Sequence, residues 1–203
     1  MSTSRASLRR RGLQLVWLTI AWNVVEVFVT IGLGVAAGSI ALIAFGTDSM
    51  IEVFASLVVV WHTSDLHAEI RRTRRSLQLI AAAFLILGLV LVVGAVVRLL
   101  AGTVPGDSPL GIAYLAVTAV VMLRLAILKR RTGTALESEP LLAEAHVTFL
   151  DSALAVGVLA ALALNSAFGW WWADPVAALA VALLAFLEAR EHWSDAQRTT
   201  GDH

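Results

Sequence analysis

Long apolar runs alternate with short polar segments along the whole chain, at residues 13–36, 39–61, 77–101, 110–128, 141–164 and 173–187. A hydrocarbon core about 30 Å thick needs roughly 20 apolar residues in helical form. Lipid also offers no partner for unpaired backbone groups, which leaves helices as the means by which such runs span. The pattern therefore predicts an all-α membrane protein with six transmembrane helices. The last run is the shortest, and its continuation EAREHW reads as a helical extension into water. The expected organisation is a basic N-terminal segment over 1–12, a six-helix membrane domain over 13–190 and a short tail over 191–203.

Composition agrees, with 59% of the 203 residues hydrophobic and 15% charged, well away from an ordinary soluble domain. There is no cysteine, so disulfides and thiolate metal sites are excluded and any metal must be held by oxygen or imidazole. The formal net charge is zero, but the signs are separated along the chain. Arg5, Arg9, Arg10 and Arg11 precede the first run, and Arg71, Arg72, Arg74 and Arg75 lie between the second and third. Lys129, Arg130 and Arg131 follow the fourth, and Arg190 and Arg198 follow the sixth. All four groups fall on one side of a six-helix protein, and the opposite connections carry no Lys or Arg. Basic residues are retained on the cytoplasmic side, so both termini are expected there. Arg98 and Arg124 sit near helix ends and can snorkel to the headgroups. Trp170, Trp171 and Trp172 read as an outer aromatic belt. GVAAG, with Gly34 and Gly38, fits a GxxxG packing spacing. The lipid bilayer is the expected surrounding partner, and no nucleic-acid partner is expected.

Glu26, Asp48, Glu52 and Asp151 all fall within the expected spans. A charge at the centre of an inserted helix costs about 2.5–3.5 kcal/mol on insertion scales, and no Lys or Arg stands at the same depth in sequence to neutralise them. Something positive is implied, either protons or a metal ion. At about 1.5 Å of rise per residue, Asp48 lies ~14 Å in from one end and Asp151 ~15 Å in from the other. Both reach the midplane, with Glu26 at a similar level. Asp48 and Glu52 are one helical turn apart and share a face. Glu144 and Asp151 share a face of the fifth helix with Thr148 between them, whereas His146 points roughly 140° away from Asp151. Paired carboxylates at this depth suit a divalent cation exchangeable for protons. The alternative is a set of protonated acids hydrogen-bonded between helices, in a non-transporting scaffold or metal sensor with a structural ion. A hydrolase is not supported, because neither His146 nor Ser152 has the partners that a nucleophile needs.

SIALIAFGTDSMIE followed by VFAS, AWNVVEVF in the first helix and WADPVAALAVALL in the sixth resemble the cation diffusion facilitator family. The resemblance implies a six-helix transporter that moves zinc or related divalent ions such as manganese, cobalt or iron out of the cytoplasm in exchange for protons. Such a protein is a secondary transporter rather than an enzyme and has no prosthetic group. Asp48 and Glu52 fall on the two ligand positions of the family's second helix. In AEAHVTFLDSALAVGVL, Glu144 takes the first acidic position and Asp151 the last, while Val147 stands at the ligand histidine. Glu26 is the expected substitute for that imidazole, with Asn23 and His146 as second choices. The chain resembles the short branch lacking the family's C-terminal cytoplasmic domain, which implies a homodimer formed through membrane helices in the cell membrane, as in a bacterial inner membrane. WHTSDLHAE reads as a solvated, charged helix end, with an accessory metal site at His62, Asp65 and His67 as its alternative, and His192 reads as an exposed tail residue.

Overall fold

The computed structural model describes residues 2–63 and 70–198. Among the described residues there are six helices: α1 (Ser2–Ala37), α2 (Ile40–Thr63), α3 (Ile70–Ala101), α4 (Pro109–Leu136), α5 (Glu139–Phe168) and α6 (Ala173–Arg198). Each covers one expected apolar run. Most extend further at the end carrying the basic segments, where amphipathic and charged sequence continues the helix into water. Asp65 and His67 lie outside the described residues, as does the side chain of His62, so the proposed accessory site is outside the described structure.

Four of the described helical stretches are long and apolar enough to cross a membrane unaided: Ala6–Ala37, Leu77–Ala101, Pro109–Leu136 and Leu141–Phe168. The more polar α6 and the shorter α2 each turn a buried face toward the core. Their residues Ala41, Leu42, Phe45, Ala178, Val181 and Ala185 are all buried in the principal core cluster. The helices pack chiefly as three pairs, α1 with α2, α4 with α5 and α3 with α6, and α2 joins the first pair to the third. Side chains such as Phe28, Val93 and Leu100 project outward, as expected where lipid replaces water as the surrounding solvent.

Small residues set the closest approaches. A Cβ at Gly34 would meet the Ile43 backbone nitrogen at 2.9 Å, and one at Gly46 would collide with the Thr30 hydroxyl. Gly34 therefore has the close-packing role that GVAAG suggested, between α1 and α2. Gly38 does not share it: it lies beyond α1 with a φ of 64° and permits the turn into α2.

The end of the bundle opposite the basic segments is tied together by polar contacts. Gly106 N–H donates to the Ala37 carbonyl at 2.8 Å, and Asn165 Nδ2 donates to the Pro105 carbonyl at 3.2 Å. Arg98 does not simply snorkel, because its guanidinium donates to the Gly38 carbonyl just past the C-terminus of α1, where a cation suits the helix dipole. Asp174, completely buried at the start of α6, caps a different helix. It accepts from the Ser39 hydroxyl, from Ile40 N–H at 3.0 Å and from Ala41 N–H at 3.4 Å. Its carboxylate thus satisfies donors that the first turn of α2 leaves unpaired.

At the basic end, α6 continues without a break to Arg198, and Ala189 and Ala196 are buried. His192 is therefore not an exposed tail residue. Its ring stacks on Phe84 of α3, with centroids 5.9 Å apart. The alanine spacing in this segment continues the apolar stripe of α6 beyond the run that hydropathy alone delimits.

Candidate cation site

Glu26 of α1 is completely buried, and Asp48 of α2 and Asp151 of α5 are nearly so; Glu52 of α2 is half-buried. Ser49, next to Asp48, donates to Glu26 Oε1 at 2.6 Å. Thr118 of α4 and Trp22 stand beside the same carboxyl group, and Trp22 Nε1 donates to the Thr118 hydroxyl at 3.3 Å. Asn23, one turn before Glu26, donates from Nδ2 to Glu52 Oε2 at 3.3 Å. The α1 and α2 acids are therefore linked by amide and hydroxyl side chains from both helices.

Asp151 acts electrostatically on Glu52, and Glu26 and Asp48 act on Asp151. Four acids from three helices thus share one electrostatic neighbourhood, as their depths in the sequence lead one to expect. Four like charges side by side in a low-dielectric interior are untenable without positive charge between them. Among the described residues, no three Asp, Glu or His side chains are close enough together to hold a metal ion in this arrangement. However, Glu26 Oε2, Asp151 Oδ2 and Asn23 Oδ1 are buried and have no hydrogen-bond partner. Buried acceptors in folded proteins are nearly always paired. Three unpaired oxygens in one neighbourhood have the chemistry that a hard cation or protons would satisfy.

Other expected site residues stand apart. Glu144 is drawn into an ion pair: its Oε2 lies 3.1 Å from Lys129 Nζ, with the lysine side chain fully buried and the glutamate side chain 42% exposed. A buried cation therefore stands beside the acids, because Lys129 continues α4 inward-facing instead of ending it in solvent. His146 is exposed and lies within electrostatic reach of Glu188 of α6, and Val147, at the family's histidine position, is 39% exposed on the outside of the bundle.

A family model described as the cation efflux transmembrane domain matches residues 16–198. The chain belongs to the cation efflux family. This cation efflux protein is accordingly a multi-pass membrane protein and a cation transporter, not a catalytic enzyme. Comparison with curated proteins gives no match.

Two residues of this cation efflux domain escaped the sequence reading. Glu188 acts electrostatically on both Asp48 and Glu52, and the signal for it is helical phase: it lies about four turns after Asp174 on the same face of α6. Lys129 was hidden among Arg130 and Arg131. Its distinguishing signal is its own phase on α4, in register with buried Met122, Leu125 and Ala126.

Proposed function

We propose that the chain is a divalent metal exporter in which Asp48, Glu52, Asp151 and Glu26 bind the transported ion and exchange it for protons by alternating access. The observation that carries this reading is the gathering of these acids from α1, α2 and α5, with buried oxygens of Glu26 and Asp151 left without donors. The same carboxylates then serve both cargoes: they release protons when they take a divalent ion and take protons when they release it. Asn23 supplies a further oxygen, and among the described residues no imidazole joins the group. An all-oxygen donor set favours manganese and similar hard ions over zinc, which the family resemblance alone would put first. The basic end faces the cytoplasm by the retention of Lys and Arg on that side, and two copies associate through membrane helices in the cell membrane.

The test is transport by purified protein in proteoliposomes with an imposed pH gradient, offered manganese, zinc, cobalt, iron(II) and magnesium in turn. Manganese uptake that rises with the gradient and collapses with a protonophore is the expected result. Flux indifferent to the gradient would remove proton coupling, and no flux of any ion would remove the transport reading.

A further inference from the structure

The Lys129 side chain is fully buried, yet the acid it pairs with is at the edge of the site and not within it. Its ammonium donates to Glu144 Oε2 at 3.1 Å and to the Thr148 hydroxyl at 2.9 Å. The Thr148 hydroxyl in turn donates to the Glu144 carbonyl at 2.8 Å, which leaves its lone pairs to receive the lysine. Glu144, Thr148 and Asp151 follow one another along the same face of α5 at helical intervals. One turn beyond Thr148, Asp151 presents an oxygen with no donor, and Lys129 already acts on that carboxylate electrostatically. A buried ammonium that leaves one carboxylate needs another, and Asp151 is the next along this face.

Glu144 is placed differently. It lines a cleft of about 240 Å³ at the basic end, together with Arg9, Gly12, Leu13, Leu141 and others. It can therefore be reached from water, while the lysine behind it cannot.

We infer that Lys129 is a tethered counter-ion of the site, held back by Glu144 and Thr148, and that on release its ammonium competes with the divalent cation for Asp151. Glu144 and Thr148 are then positioning residues that keep Asp151 available to the cargo. An ammonium on Asp151 would take up the charge and the lone pair that a divalent ion needs. The inference rests on the proposed role of Asp151 as a ligand.

The experiment is manganese titration of full-length protein in detergent, followed by calorimetry and by the electron-spin signal of free manganese, with melting temperatures measured in parallel. The variants are Glu144→Gln, Lys129→Met and the double variant. Glu144→Gln is expected to weaken binding about tenfold, equivalent to about 1.4 kcal/mol, and adding Lys129→Met is expected to restore wild-type affinity. A merely structural ion pair would lower the melting temperature of Glu144→Gln with affinity unchanged, and that result overturns the inference. Should Glu144→Gln not fold, Thr148→Val removes the other contact holding the lysine. It is expected to weaken binding several-fold, reversed by Lys129→Met, and unchanged affinity in Thr148→Val overturns the inference equally. Wild-type protein that binds neither manganese nor zinc, cobalt, iron(II) or magnesium titrated beside it overturns the ligand role of Asp151 and the inference with it; wild-type binding with affinity unmoved in the variants overturns the inference alone.

Discussion

Asp48→Asn and Asp151→Asn, made singly, are each expected to lower divalent-cation flux in proteoliposomes by more than about 100-fold. Even partners outside a ligand shell are worth about 10–100-fold in metal affinity, and these substitutions remove a charged ligand itself. Folded protein in the membrane should be unchanged or higher, because a neutral amide of the same shape relieves crowding among the buried acids. The scaffold reading predicts the reverse: acids that fix helix packing would, when replaced, lower the yield of folded protein. Size-exclusion profiles measured beside flux separate the two. A monodisperse, inactive Asp151→Asn protein supports transport through this site, and an unfolded one supports packing.

The largest effect on stability is expected at Asp174. Changing it to Ala leaves the buried Ser39 hydroxyl and the Ile40 N–H without their acceptor, at about 1–3 kcal/mol for each unsatisfied group. A loss of about 3 kcal/mol should appear as a markedly lower melting temperature in detergent. Asp174→Asn keeps one carbonyl oxygen and should recover about half of that loss. Since Asp174 caps α2 from α6, the damage falls on the helix that carries Asp48 and Glu52. Flux should therefore fall with folded protein, in contrast to the pattern expected at Asp151. An unchanged melting temperature in Asp174→Ala would contradict the capping role.

The helices were legible because hydropathy and the length of a bilayer crossing leave few choices, and the acids were legible because charge inside an apolar run is costly. The depths of Asp48 and Asp151 followed from rise per residue, which holds whatever the helices pack against. The failures have a common physical origin. Lys129, Glu188 and His192 all lie where an apolar run gives way to charged sequence, and hydropathy there marks an end although the helix and its buried stripe continue. Their partners, Glu144, the α2 acids and Phe84, come from other helices, and pairing between helices has no local signature. Asp174 lies in the WADPVAALAVALL stretch that carries the family resemblance, yet its role in capping α2 needed the packing of α6 against the start of that helix. Glu144 and Val147 show the limit of aligning motif positions. One matches an acidic position yet is bound to a lysine, and the other stands where a ligand is expected but faces outward.

In the proposed mechanism the acids of α1, α2 and α5 are the ligands of the transported ion. Anomalous scattering from crystals grown with manganese tests it most directly. One strong peak per chain is expected between α1, α2 and α5, within about 2.6 Å of carboxylate oxygens of Asp48 and Asp151, in the range of hard-cation–oxygen distances. A manganese peak seated elsewhere in the chain, with those carboxylates hydrogen-bonded to one another across the helices, would contradict it.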